Sequence, residues 1–215
     1  MRSRFADAFN HDGDAPDYDS DVTQEAHPIR AGYSALLDWV AETSHIAPGH
    51  DVVELGAGTG NLTTRLSPEA NIVAVDISRE MLALARKKVG DRVRWVHNDL
   101  LAFFDDETGR FDRVVSTYAI HHLVADEKRM LLRRIRECLR PGGRAVFGDL
   151  MFESANARLD ALRRYAMAGH GDVVDAIELE FFWLLDESVA DLLELGFRVA
   201  TRRFSDLSWG LGASL

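Results

Sequence analysis

The segment Val52-Val53-Glu54-Leu55-Gly56-Ala57-Gly58-Thr59-Gly60 constrains this chain more than any other. A short run suited to a buried strand leads directly into three glycines at alternate positions. Glycine lets a backbone turn through positive φ and lets a ligand approach with no Cβ in the way. The chain then alternates. Residues 71–75, 92–96, 112–117 and 144–148 read as further strands after the one at 51–55. Helical patterns lie among them. Residues 60–66 open a helix, and 78–89 present Met81, Leu82, Ala85 and Val89 on one face behind Ser78 as N-cap. A helix over 126–139 stops at Arg140-Pro141-Gly142-Gly143.

Strands alternating with helices predict an α/β fold with a mostly parallel sheet and helices on both faces. After the fifth strand the alternation ends. Residues 153–180 look helical with no strand between them, and 187–195 form another helix stopped by Gly196. Residues 197–204 and 207–212 read as strands joined only by Ser205-Asp206. So short a link requires a C-terminal antiparallel hairpin. Upstream, Pro28 suits a first helical turn, and Ile29, Tyr33, Leu36, Leu37 and Val40 follow at helical spacing, with a stop near Pro48-Gly49. Residues 1–26 are rich in aspartate and are expected to be a flap over a ligand or a disordered segment. Residues 27–215 then make a single domain.

Composition narrows the function. The chain has 215 residues, enough for one sizeable core, and a formal net charge of −10. That charge argues against nucleic acid, whose affinity comes largely from phosphate neutralisation. The clusters Arg133, Arg134, Arg136 and Arg163-Arg164 read as solvated helix faces. No apolar run would span a bilayer, and Met1-Arg2-Ser3-Arg4-Phe5 lacks the apolar core of a secretion signal. The expectation is a cytoplasmic protein with no membrane partner. The single cysteine, Cys138, excludes an internal disulfide and a cysteine-based metal cluster.

The strand ends carry the chemistry. Ligands of open α/β sheets sit at the carboxyl ends of the strands. Asp76 ends the second strand, where an acid can accept both ribose hydroxyls of an adenosine ligand. Asp99 follows the third, where it can accept from an adenine amino group; its alternative role is a helix N-cap. Ile77 and Leu100 each follow one of these acids and can sandwich the base. The glycine spacing is G-x-G-x-G, with Asn61 where a dinucleotide fingerprint needs glycine, and no P-loop lysine follows. A pyrophosphate is therefore not the expected cargo.

Together these residues resemble the class I S-adenosylmethionine-dependent methyltransferases. Glu54 to Gly60 looks like their first motif, Val75-Asp76-Ile77-Ser78 like the ribose-binding acid, and Asn98-Asp99-Leu100 like the adenine-binding segment. Phe111 to Leu123 resembles the fourth strand and active-site loop, and Leu139 to Gly143 the turn before the fifth strand. A closer likeness is to small bacterial YrrT-like methyltransferases, through Gly58 to Thr63, Ser116 to Leu123, an N-terminal Phe9 with Tyr18-Asp19, and Leu179 to Phe182. The chain departs from that subgroup around residues 11–16, where a tryptophan-alanine pair is expected.

The resemblance implies a seven-stranded, Rossmann-like methyltransferase fold with the last strand reversed. It implies S-adenosyl-L-methionine as cofactor, held by Tyr18, Glu54, Gly56, Ala57 and Gly58, by Asp76, Ile77 and Met81, and by Asp99, Leu100 and Thr117. Glu54 either faces the cofactor's cationic end or orients the glycine turn. Tyr18 either folds over the cofactor or anchors the flap. Methyl transfer is an in-line displacement in which the protein chiefly aligns the acceptor. His121 is the candidate base or acceptor-orienting residue, with a structural hydrogen bond as its other reading. Residues 153–180 are expected to roof the acceptor site, with Tyr165 and His170 lining it. No metal is expected, since His97, His121 and His122 lack a matching set of carboxylate or cysteine partners in sequence. The acceptor is expected to be a small molecule. A non-catalytic module binding S-adenosylmethionine or S-adenosylhomocysteine is the alternative, and an NAD-dependent oxidoreductase the third reading.

Overall fold

The strand that feeds the glycine turn, β1 (Asp51–Leu55), lies inside the sheet with a parallel neighbour on each side. These neighbours are β2 (Asn71–Asp76) and β4 (Phe111–Thr117). Beyond them lie β3 (Val93–His97) beside β2 and β5 (Leu139–Phe152) beside β4, again in parallel. The last strands, β7 (Arg198–Arg203) and β8 (Ser208–Ser214), form the expected antiparallel hairpin. β8 inserts against β5, which gives the order β3-β2-β1-β4-β5-β8-β7. A short strand, β6 (Trp183–Leu184), pairs with the far end of β5. It is too short to leave a periodic signal. The computed structural model describes residues 1–106 and 110–215.

Side chains alternate across the sheet, and both faces are covered. Val53, Leu55, Val114 and Phe147 pack with α4 (Leu100–Asp106), α5 (Ala125–Cys138) and α8 (Leu185–Glu194). Val52, Val115 and Val146 pack on the other face with α2 (Tyr33–Thr43), α6 (Ala155–Ala168) and α7 (Gly171–Leu179). Burial on both faces explains the apolar, non-alternating strand sequences. The chain adds β2 and β3 on one side of β1 and then returns to place β4 on the other. This reversal opens a crevice at the carboxyl ends of β1 and β4. Among the described residues no helix is long and apolar enough to cross a membrane.

Several elements differ from the sequence expectation. The helix expected from Pro28 starts at Tyr33, because Gly32 takes φ +78° and breaks the run. Residues 60–66 make only one 3-10 turn, Thr63–Arg65; Gly60 and Pro68 leave no room for more. The helix α4 had no periodic signal, yet Asp99 caps it. Residues 153–180 form two helices, separated where Gly169 takes φ +80°. Leu139 already pairs with Phe111, and Arg144 with Arg113, so the Pro-Gly-Gly segment bulges out of β5 instead of preceding it.

Candidate functional site

One cleft at the crevice gathers most of the residues singled out from sequence. Gly56, Ala57 and Gly58 come from the turn after β1, and Asp76 and Ile77 from the end of β2. Met81 comes from α3 (Arg79–Val89), Asp99 and Leu100 from the β3–α4 junction, Thr117 from β4, and Tyr18 from α1 (Tyr18–Val22). Glu54 and His121 do not border it.

The turn is held from below. Val75 O accepts from the backbone N–H of both Gly56 and Ala57, at 2.8 and 3.0 Å. The Asp76 carboxylate then accepts from Gly58 N at 2.7 Å and from Ser78 N at 2.8 Å. One acid therefore fixes both the glycine turn and the start of α3, where Ser78 Oγ caps Met81 N at 3.0 Å. Burial pushes the Asp76 carboxyl up, and the N–H groups of Ser78 and Gly58 oppose that shift. Strand alternation turns Glu54 away from the cleft, to the face where the Thr63 hydroxyl donates to it at 2.7 Å. Burial raises its carboxyl from the usual 4.5 to about 8, with Thr63 opposing.

Asp99 is an N-cap: its Oδ1 accepts from Leu101 N at 2.9 Å and Ala102 N at 3.1 Å. The same carboxylate receives Ser3 N at 3.1 Å and the Ser3 hydroxyl. Residues 1–26 are bound along the cleft mouth at further points. Asp12 accepts from Ser78 Oγ at 2.6 Å. Asp19 accepts from Thr59 Oγ1 at 2.6 Å, Asn61 Nδ2 at 3.0 Å and Lys88 Nζ at 2.7 Å. Between these points Phe5, Phe9, Asn10 and His11 border the cleft. Tyr18 is half-buried, and desolvation raises its phenol.

The two histidines after β4 divide between two environments. They sit on a single 3-10 turn, Ile120–His122. His121 is buried, with Nδ1 2.5 Å from Asp149 Oδ1. Asp149 Oδ2 also accepts from the backbone N–H of Ile120 at 3.1 Å, that of His121 at 3.0 Å, and the indole N–H of Trp183 at 3.0 Å. The cleft wall belongs to His122. Its ring stacks on Phe9 at 4.2 Å, and its Nε2 lies 3.3 Å from His11 Nε2. Burial, then the neighbouring His121 and His11, hold its imidazole well below the ordinary histidine range. Glu180, the C-cap of α7, brings Oε2 to 3.3 Å from His121 Nε2. A ligating atom of each of His121, His122 and Glu180 lies within 4.8 Å of the others. The chain thus supplies a carboxylate that the local sequence lacked.

No residue of 153–180 borders this cleft; the N-terminal segment does. Tyr165 and His170 pack edge to face on each other, ring centroids 6.0 Å apart. Phe182 stacks on Phe152 and Trp183 packs on Phe147. Sequence reasoning also passed over Tyr33 and Tyr118 on the cleft wall, and Asp149 behind it. Asp149 had a usable signal: it is the one acid inside the otherwise apolar end of β5, as Asp76 is at the end of β2.

The family described as Methyltransferase domain matches residues 52–143. An uncharacterised methyltransferase of Exiguobacterium sibiricum is 33% identical over 213 residues, covering 97% of this chain and 96% of its own. The uncharacterised methyltransferase YrrT of Bacillus subtilis is 32% identical over 179 residues, covering 83% and 82%. Among solved structures, a DhpI–SAM–HEP complex matches with TM-score 0.69 at 21% identity, covering 97% of this chain and 95% of that one. The N-methyltransferase NodS of Bradyrhizobium japonicum with S-adenosyl-L-homocysteine gives TM-score 0.62 at 16% identity, covering 87% and 88%. The two structures share the fold described above.

Proposed function

The chain belongs to the class I S-adenosylmethionine-dependent methyltransferases, and on that premise we propose that it methylates a small-molecule acceptor, chiefly by positioning it. One observation carries this reading: the glycine turn, Asp76 and Asp99 converge on a single cleft bordered by the N-terminal segment. The cleft fits the cofactor. A Cβ on Gly58 would meet nothing within 4 Å, so its backbone is open toward a ligand. Asn10 adds a buried Oδ1 that has no partner among the described residues.

When bound, S-adenosylmethionine supplies an electrophilic sulfonium methyl. Asp76 accepts from the ribose hydroxyls and Asp99 from the adenine amino group, with Ile77, Leu100 and Met81 against the base. Both acids are held by backbone N–H groups, so their orientation costs little on binding. Gly56, Ala57 and Thr117 border the methionine portion, and Glu54 acts through the turn by way of Thr63. Tyr18, Phe5 and Phe9 close the site against water, which makes residues 1–26 a flap. His122, on the cleft wall, orients the acceptor. His121 is a positioning residue behind it. The net charge of −10 favours a small acceptor over nucleic acid.

Calorimetry with S-adenosylhomocysteine tests the cofactor site. Asp76→Ala should weaken binding by about 2 kcal/mol or more, roughly 30-fold, as charge-assisted hydrogen bonds are lost. A screen of small-molecule pools with isotopically labelled methyl donor then tests the reaction. Binding of NAD without response to S-adenosylhomocysteine would overturn the assignment. Tight nucleoside binding with no acceptor-dependent transfer would favour the non-catalytic module.

A further inference from the structure

The contacts around the paired histidines bring ring nitrogens and a carboxylate oxygen together behind the cleft wall. His121 Nδ1 is bound to Asp149 Oδ1 at 2.5 Å, so that nitrogen is committed to Asp149 and Nε2 is the ring atom left for a further partner. That Nε2 lies 3.3 Å from the Glu180 Oε2 carboxylate oxygen, a gap that a proton or a cation must bridge. On the other side, His11 Nδ1 is bound to Asp14 Oδ2 at 2.9 Å, so His11 Nε2 is an acceptor. His122 Nε2, at 3.3 Å from it, must then donate. The proton of His122 is therefore on Nε2, and its Nδ1 carries a lone pair. This Nδ1 is buried and has no partner among the described residues. One ring nitrogen of each histidine and a carboxylate oxygen of Glu180 thus lie within 4.8 Å of one another.

We propose that His121, His122 and Glu180 bind one divalent transition-metal ion of the zinc class at the edge of the cleft. Two imidazoles and a carboxylate are a donor set that such ions favour. Two tetrahedral ligands at about 2.0–2.1 Å from zinc stand about 3.3–3.4 Å apart, which is the separation of His121 Nε2 and Glu180 Oε2. The outer shell is built as well: Asp149 holds His121 by its far nitrogen, as carboxylates hold metal-ligating histidines. Lys128 spends its ammonium on the carbonyls of Leu123 and Phe181. Three protein ligands leave a coordination position for water or for an acceptor heteroatom, beside the residue that walls the cleft. The inference concerns metal binding alone and stands apart from the methyl-donor assignment.

The test uses the full chain without an affinity tag, stripped with chelator and titrated with Zn(II) and with Co(II), with no cofactor or acceptor present. One equivalent should bind with a micromolar or tighter dissociation constant. Co(II) should show the visible absorption of a low-coordinate N/O site, and Zn(II) should raise the melting temperature. Glu180→Gln and His122→Ala should each weaken binding at least 10-fold; Asp172→Asn, beside the exposed His27, should leave it unchanged. Absence of stoichiometric binding, or equal affinity in the Glu180→Gln and His122→Ala variants, would overturn the proposal. So would NMR showing His121 doubly protonated between Asp149 and Glu180 in the presence of excess Zn(II).

Discussion

Asp149 holds His121 twice, accepting its backbone N–H at 3.0 Å and its ring Nδ1 at 2.5 Å. The same carboxylate takes Ile120 N, Leu150 N and the Trp183 indole. It joins the end of β5 to the turn after β4 and to β6. Asp149→Ala would leave these donors buried and unsatisfied, which costs about 3–5 kcal/mol. Urea unfolding should report that loss with an unchanged slope. Asp149→Asn, which keeps one carbonyl oxygen, should lose less. A loss below about 1 kcal/mol in the alanine variant would contradict the joining role.

Glu54 makes stability fall with rising pH. Its folded carboxyl is raised from 4.5 to about 8 by burial, so the folded state prefers the protonated acid. Its stabilising share is complete below about pH 4.5 and is lost as pH rises through 8. Glu54→Gln removes this dependence. The variant should gain on the wild type across that window, by about a few kcal/mol at pH 9, with both proteins free of cofactor. Parallel stability curves for the two proteins from pH 5 to 9 would rule out burial as the cause.

Asp19 ties the N-terminal segment to the far side of the glycine turn through Thr59, Asn61 and Lys88. These contacts lie near the surface, so Asp19→Ala should change global stability by less than about 1 kcal/mol. The effect should appear in kinetics. Release of S-adenosylhomocysteine, followed by stopped flow, should be several-fold faster, and residues 3–22 should be cut more readily by protease. Unchanged release would mean that the segment does not cover the cofactor.

What the sequence made legible is local. The glycine turn, Asp76 at the end of β2, Asp99 after β3 and the hairpin forced by Ser205-Asp206 all follow from short-range rules of turn chemistry and strand length. What stayed hidden depends on segments that meet only in three dimensions. Glu180 reaches His121 because α7 packs back across the sheet, and no spacing rule links the two. The N-terminal aspartates read as the composition of a loose segment, yet Asp12 and Asp19 are bonded to α3 and the glycine turn. The choice between His121 and His122 rested on the rotation of one 3-10 turn, which Asp149 fixes from another strand.

Gly56 and Gly58 predict opposite outcomes for the same substitution. Both take positive φ, +70° and +52°, so alanine costs about 1–2 kcal/mol of backbone strain at either. Their surroundings differ. A Cβ on Gly56 would stand 2.1 Å from the Cβ of Ala119, in the loop after β4, and both loops would have to move. Overpacking of that kind adds about 1–3 kcal/mol. Gly56→Ala should therefore lower the melting temperature strongly even without cofactor. A Cβ on Gly58 would meet no protein atom within 4 Å, and Gly58 borders the cleft. Gly58→Ala should keep most of its stability and lose affinity for S-adenosylhomocysteine at least 10-fold, because the added methyl takes space meant for the ligand. Calorimetry and thermal melts on the two variants separate these effects. Equal loss of affinity in both, with equal loss of stability, would mean that the turn serves the fold alone.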